Sequence, residues 1–203
     1  RLDAEHEWAV VELGMNHAGE IRRLARICRP DVGVITNIGP AHLKDLGSLE
    51  GVAAAKGELW DEMGANAAAI LNVDDPHCRR LAENRPFRVV RFGLGESADI
   101  RGLALEATAA GVSFLLRLPE AELPVRLRVP GRFMVMNALA AAAAGWVAGI
   151  PPEEIVRGIE GFQPVPGRMG VTGTRRRITL VNDTYNANPH SMRAAIEAFA
   201  ALR

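Results

Sequence analysis

Apolar positions first gather in a short β-branched run at residues 8–13, closed by Gly14, which predicts a buried strand. The period then changes. Ile21, Leu24, Ala25 and Cys28 recur at i, i+3, i+4 and i+7, one face of a helix over residues 18–28, and Pro30 ends it. Residues 32–36 predict a second buried strand. Residues 37–47 predict a loop, with Gly39-Pro40 as its turn signal. Ser48 is placed to cap a helix reaching about residue 63, with Glu50 in its first turn. Strands follow at 67–73 and 87–92, separated by a short helix at 75–83. Strand and helix in alternation are the signature of a parallel sheet.

Beyond residue 99 the pattern turns to period two. Residues 100–107, 112–118 and 125–129 are strand-like, Gly111 and Pro119 punctuate them, and no helix intervenes. A small antiparallel sheet attached to the α/β core is the expectation. A helix over 133–148 ends at Gly149, and another starts at Pro152 with Ile155, Val156 and Ile159 turned inward. The run Gln163-Pro-Val-Pro-Gly167 is the best linker. After it come a strand at 178–181 and a helix opening at Asn188-Pro189, striped by Met192, Ala195, Ile196 and Phe199. The fold class is therefore α/β: a mostly parallel sheet flanked by helices, a small antiparallel sheet, and a second α/β unit cut short. The expected division is residues 1–162 and residues 163–203.

Composition narrows the function classes. Lys plus Arg equal Asp plus Glu at 24 each, which argues against a nucleic-acid binder relying on bulk positive charge and leaves room for a local charged cleft. Hydrophobic residues at 48% against 24% charged exclude a disordered chain. Aromatics make up only 5%, so the core must be mainly Ala, Val, Leu and Ile. No apolar run reaches the roughly 18–20 residues of a membrane span. The Ala-rich stretch at 137–150 is too short and holds two glycines. Cys28 and Cys78 form no disulfide framework, and no signal peptide opens the chain, so a reducing cytoplasm is expected. The chain opens at Arg1 close to a strand and stops at Arg203 after a helical pattern. It reads as a piece of a longer protein.

Several residues carry candidate chemistry. Glu12 sits inside the first apolar run, where a carboxylate is costly unless paired, hydrogen-bonded or metal-bound. It is either a strand-end residue bonded to backbone or part of a site at the rim where ligands of open α/β sheets collect. His42 follows the second strand and belongs to the same rim, as a surface residue or a metal ligand. Lys56 lies among alanines in Ala53-Ala-Ala-Lys-Gly-Glu58. Desolvation lowers a lysine pKa, and a neutral amine can take up carbon dioxide. The carbamate turns a cation into an oxygen ligand suited to magnesium. The alternative is a helix lysine snorkelling to solvent. Asn137, early in the Ala-rich helix, can offer an amide to a base edge or serve as a plain polar residue. Arg168, in Pro166-Gly-Arg168, suits phosphate, and Asp183 at a strand end suits a ribose diol or a turn. No G-x-x-x-x-G-K-[S/T] loop occurs, and Gly93-Leu-Gly95 lacks the Lys-Ser/Thr that would follow. A phosphate cradle for ATP is expected upstream of Arg1.

Taken in order, these pieces resemble the Mur ligases. They are Glu12-Leu-Gly-Met-Asn-His-Ala-Gly-Glu20, Asn37-Ile-Gly-Pro-Ala-His-Leu43, Ala55-Lys-Gly-Glu58, Gly131-Arg-Phe-Met-Val-Met-Asn-Ala138, Pro166-Gly-Arg168 and Asp183-Thr-Tyr-Asn-Ala-Asn-Pro-His-Ser-Met192. The last points to the branch that adds D-alanyl-D-alanine to UDP-N-acetylmuramoyl-tripeptide in peptidoglycan precursor synthesis. The resemblance implies an ATP-dependent cytoplasmic enzyme forming an acyl phosphate that the amine then attacks, with two Mg2+ ions. It implies that this chain is the central ATP-binding domain without its phosphate loop, plus the start of the C-terminal domain, and that it is inactive alone. It implies Glu12, His42 and a carbamylated Lys56 as magnesium ligands, His42 and Lys56 being the catalytic pair. Asn137 would meet adenine, Arg168 phosphate and Asp183 ribose, with Tyr185, Asn186 and Asn188 bordering the nucleotide. One departure stands out: the family usually has His where this chain has Phe133, and often Asn where it has Met134. Two further readings fit the same residues, a family ligase with another amine substrate and a non-catalytic nucleotide-binding module. No nucleic-acid or membrane partner is expected.

Overall fold

In the computed structural model, the described residues are 3–40, 43–83, 85–108, 111–173, 178–186 and 189–200. Helix α1 (Glu20–Cys28) leads into β1 (Val32–Ile35), a one-turn helix α2 (Leu43–Leu46), and α3 (Leu49–Asp61). Then come β2 (Ala68–Asn72), α4 (Pro76–Leu81) and β3 (Arg88–Gly93), followed by β4 (Ile100–Thr108), β5 (Gly111–Arg117) and β6 (Glu122–Leu127). Helices α5 (Phe133–Val147) and α6 (Pro152–Glu160) precede β7 (Gly170–Gly173), β8 (Thr179–Asn182) and α7 (Pro189–Ala200).

Strands β1 to β6 form one sheet in chain order, with β7 and β8 forming a separate antiparallel pair. The pairs β1–β2, β2–β3 and β3–β4 are parallel; β4–β5 and β5–β6 are antiparallel. The α/β expectation holds. The three period-two strands extend the parallel sheet at its edge. Only two positions join β3 to β4, Phe92 with Ile100 and Gly93 with Arg101, so six residues suffice for the parallel connection. The carboxylate of Asp74 shapes that connection by accepting from Leu94 N–H and Gly95 N–H at 2.6 and 3.1 Å.

The sheet is covered on both faces, and alternate residues of a strand serve opposite layers. In β2, Ile70 joins a cluster with Phe92, Val112, Val135 and Leu139 on the α5 side. Its neighbours Ala69 and Leu71 join Ile35, Val52 and Trp60 on the α3 side. Every residue of β2 is buried, as a central strand requires. Ser48 caps α3 by accepting from Gly51 N–H at 3.2 Å, as its position predicts. Trp60, 1% exposed, lies against Gly33 and donates its indole N–H to the Gly33 carbonyl at 3.3 Å. A Cβ on Gly33 would stand 3.1 Å from the Trp60 ring and 2.5 Å from Met63 Sδ, so a side chain there would have to displace both.

The strand expected at residues 8–13 does not form. That segment carries no regular structure, and Trp8, Val10 and Val11 are 66%, 102% and 55% exposed. A strand is held by hydrogen bonds to neighbours and by burial of its side chains. β-Branching supplies neither, and β1, at the sheet edge, pairs with β2 alone among the described strands. Three smaller differences concern short elements. The 37–47 loop contains α2, β6 begins and ends a few residues before its expected bounds, and β7 lies in a stretch read as connection.

Trp60→Ala is expected to cost about 3–5 kcal/mol, the range for emptying a fully buried aromatic site. Chemical denaturation followed by far-UV circular dichroism reads it. A loss below roughly 1 kcal/mol would mean that the Trp60–Gly33 contact does not hold α3 on the sheet.

Candidate functional site

Two loops leave the carboxyl ends of adjacent parallel strands, residues 36–40 after β1 and residues 73–75 after β2. In open α/β sheets this rim is where ligands bind. Helix α3 runs beside it and supplies Lys56. The Lys56 ammonium donates to the Asn37 carbonyl at 2.7 Å. Its side chain is half-buried. Burial holds its pKa below the ordinary lysine value, against the opposing pull of nearby Cys78 and Asp75.

Asp75 ties the second loop to the first. Its Oδ2 accepts from Ile38 N–H at 2.7 Å, while Oδ1 accepts from His77 N–H and Cys78 N–H at 2.8 and 3.2 Å and caps α4. Pro76 follows at the first helical position, where a missing N–H costs nothing. Cys78 is fully buried behind this cap. Its thiol pKa is pushed up to about 12, first by burial and then by the Asp75 charge.

Glu58, two residues beyond Lys56, faces the other way. It is 8% exposed and accepts from Gly19 N–H at 2.7 Å and Arg22 N–H at 3.1 Å. A carboxylate from α3 thus caps the N-terminus of α1, the end that favours negative charge. Glu20 secures the preceding turn by accepting from Asn16 N–H at 2.6 Å and His17 N–H at 3.1 Å. Those two backbone donors, Asn16 foremost, hold its carboxyl below the usual carboxylate range.

The remaining expected site residues fall in two places. Glu12 is exposed on the extended segment before this turn and belongs to no strand. The argument that burial makes its carboxylate costly therefore does not apply. Asn137 is exposed on α5, its amide 3.8 Å from Met134 Sδ. Arg168, Asp183 and Tyr185 each engage the turn that precedes β7. The Arg168 guanidinium lies over the Tyr185 ring, 4.3 Å from its centroid. Asp183 Oδ1 accepts from Met169 N–H at 3.0 Å, and Tyr185 N–H donates to the Gly167 carbonyl at 3.0 Å. Gly167 has φ +81°, and a Cβ there would stand 3.2 Å from Tyr185, so the turn needs glycine. Asn186 is exposed. His42 and Asn188 lie outside the described residues. Among the described residues, no three His, Cys, Asp or Glu side chains cluster as a metal site.

Phe133 and Met134, the two departures from the family pattern, have a packing role. Phe133 packs against Val129, Met169 and Ala198. Met134 touches both that cluster and the main core. They join α7 and the β7 turn to the α5 side of the sheet.

Residues that the sequence pattern did not single out are Glu58 and Asp75. Their partners lie 36 to 39 positions away, beyond any local periodicity. A signal for Lys56 was available and unused: the chain has only two lysines, Lys44 and Lys56, among its 24 cationic side chains. Arginine serves everywhere else, and arginine cannot give up its proton to become a nucleophile.

A mainly parallel sheet with an amine held at its carboxyl rim defines an α/β domain built to bind ligands at strand ends. The chain belongs to the Mur ligase family, since residues 1–145 match the Mur ligase middle domain. The UDP-N-acetylmuramoyl-tripeptide–D-alanyl-D-alanine ligase of Escherichia coli K12 is 36% identical over 206 residues, covering 100% of this chain and 45% of that protein. MurF from Acinetobacter baumannii, in its crystal structure, is 35% identical with a TM-score of 0.94 over 100% of this chain and 44% of that one. MurF ligase from Thermotoga maritima in complex with ADP is 26% identical with a TM-score of 0.81, covering 92% of this chain and 43% of that one. The chain thus spans less than half the length of these relatives. Among the described residues, no helix is long and apolar enough to cross a membrane.

At pH 8 the native chain is expected to take one iodoacetamide label, on exposed Cys28, and two after denaturation. Iodoacetamide reacts with the thiolate, and burial pushes the Cys78 thiol pKa up to about 12. Peptide mass spectrometry reads the sites; rapid native labelling of Cys78 would mean that the α4 cap opens.

Proposed function

We propose that this chain is the central, ATP-binding part of a cytoplasmic MurF-type ligase. The reaction joins D-alanyl-D-alanine to UDP-N-acetylmuramoyl-tripeptide for peptidoglycan. Residues 1–162 form its central domain and residues 163–203 begin its C-terminal domain. The observation that carries the reading is Lys56: an amine half-buried at the rim of β1 and β2 and docked on a backbone carbonyl. Identity to relatives named for this reaction supports the choice of substrates.

The chemistry of the residue types, taken one by one, supports this reading. The lowered pKa of Lys56 makes its neutral amine available for carbon dioxide, and the carbamate formed is a hard oxygen donor. With Glu12 and His42 it would hold Mg2+. Bound Mg2+ and ATP supply the phosphoryl group and the positive charge that offsets it. Arg168 stacks through its face on Tyr185, and its N–H bonds lie in the guanidinium plane, where they suit phosphate oxygens. Asp183 uses Oδ1 on Met169 and has a second oxygen to offer a ribose diol. Asn137 presents its amide at the exposed side of α5 for adenine. Tyr185, Asn186 and Asn188 border the same region of sequence. Each residue binds or orients; the rate gain then comes mainly from positioning and charge stabilisation.

The test uses the protein at the full length of its relatives. ATP-dependent coupling of D-alanyl-D-alanine is expected, with single amino acids as poor acceptors; preference for another amine would reassign the substrate. Lys56→Ala and His42→Ala are each expected to lose roughly 100-fold or more in turnover, the weight of a metal contact. Added short carboxylates should partly restore Lys56→Ala and not His42→Ala. Near-normal turnover in either variant, with the fold intact, removes that residue from the metal site.

A further inference from the structure

We infer that Asp75 is a positioning residue for Lys56, acting through the single peptide unit between Asn37 and Ile38. The carbonyl that receives Lys56 and the N–H that reaches Asp75 belong to the same amide. On one side, Asn37 C=O accepts from Lys56 Nζ at 2.7 Å. On the other, Ile38 N–H donates to Asp75 Oδ2 at 2.7 Å. A peptide unit is planar and rigid, so gripping both ends fixes its rotation about the Cα–Cα axis. Both bonds carry charge assistance, and they polarise the amide in the same sense. The ammonium draws electron density to the oxygen while the carboxylate attracts the hydrogen.

The grip has a fixed base. Asp75 Oδ1 is bound to the first turn of α4 through His77 N–H and Cys78 N–H. The Ile38 side chain is 7% exposed and packs in the α3-side core, so this residue is anchored by burial as well. The line of force therefore runs from α4 through Asp75 and one peptide to the amine on α3. Loss of the Asp75 carboxylate frees the amide to turn and takes the acceptor away from Lys56.

This deepens the reading of Lys56 as the amine that takes up carbon dioxide. In that step the neutral amine nitrogen bonds to the carbon of CO2. One C=O π bond opens onto oxygen, and one N–H proton leaves to solvent. The carbamate nitrogen keeps a single N–H, and the Asn37 carbonyl is placed to accept it. The same peptide, and through it Asp75, then fixes which way the two new oxygens face.

In the protein at the full length of its relatives, Lys44, exposed on α2, is an internal reference for Lys56. A short pulse of acetic anhydride, followed by peptide mass spectrometry, gives the ratio of Lys56 to Lys44 acylation. Two variants are compared with the parent. Asp75→Ala removes both the α4 cap and the loop contact. Asp75→Ser keeps a cap, since serine serves at that position, and is too short to reach Ile38. In both, the ratio is expected to rise about tenfold, the weight of one hydrogen bond to a charged group, and to stay raised at alkaline pH where both amines are neutral; a rise that vanishes there would assign the effect to the Asp75 charge alone and overturn the proposal. An unchanged ratio in folded Asp75→Ser overturns the proposal. So does a rise confined to Asp75→Ala, which would assign the effect to the helix cap. If Asp75→Ala fails to fold, Asp75→Ser decides alone. Carbon-13 NMR of the parent chain in 13C-bicarbonate separately tests the carbamate. Absence of its resonance would fail the reading of Lys56, while the acylation ratio still judges Asp75.

Discussion

The organisation of the rim depends on one helix being enclosed on several sides. α3 is touched by β1 through Trp60, by α1 through Glu58, and by α4 through Gly57, where a Cβ would stand 3.0 Å from Leu81. A helix in the covering layer of a sheet usually has one buried face and one wet face. Here residues 52, 53, 55, 57, 58 and 60 are all buried. A polar group on such a helix must find a fixed partner or be excluded from it. Lys56 finds a backbone carbonyl and Glu58 finds two backbone N–H groups. The helix thereby turns two of its charged residues, Lys56 and Glu58, into braces that hold the loops on either side of it. Small residues make this possible, because Ala53, Ala55 and Gly57 let three neighbours approach at once.

That constraint explains what was legible in the sequence. Periodicity identified β1 to β3 and α1, α3, α5, α6 and α7, most of which bury a stripe or a strand face; on α7 the expected stripe is overturned, since Met192, Ile196 and Phe199 are exposed and Ala195 and Ala198 face inward. It failed at residues 8–13, where the local pattern is as strand-like as that of β1. The difference lies in partners. β1 has β2 beside it, and residues 8–13 have no such neighbour among the described strands. α2 and β7 were missed because four residues carry too little pattern to separate from a turn. At the site, the alanines around Lys56 announced a poorly solvated amine. The residues that position it were silent, since an aspartate before a proline looks the same whether it caps one helix or also reaches a loop 37 residues away. Arg168, Asp183 and Tyr185 were read as separate candidates, and the turn at Gly167 gathers them. His42 and Asn188 fall outside the described residues.

The joint between the sheet and the C-terminal unit rests on apolar contact. Val129, Met169 and Ala198 form its centre, with Phe133, Met134, Val181 and Ala195 around them. A histidine at 133 and an asparagine at 134 would put polar atoms into this small cluster. The departures from the family pattern are consistent with a joint held by burial. The outer side of α7 is different, with Met192, Ile196 and Phe199 between 45% and 64% exposed. The inner contact through Ala195 and Ala198 is thin, because alanine offers little area. Burial at this joint therefore depends on Phe133 and Met134 more than on α7 itself.

The choice of cation adds a final step. A guanidinium on α3 at position 56 would dock on the Asn37 carbonyl as well as an ammonium does, and with more donors. It would not shed a proton on burial, because its pKa stays above about 12 in proteins. A lysine in the same place responds to desolvation. The Coulomb pull of Asp75 opposes that response, so burial and charge act on the amine in opposite directions. Asp75 acts on Lys56 in a second way through the peptide at 37–38, which gives the amine an acceptor without placing a carboxylate in contact with it. Docking on a neutral carbonyl stabilises the ammonium less than direct pairing with Asp75 would. An amine held in this way keeps both a fixed position and access to its neutral form, which direct pairing with a carboxylate would oppose.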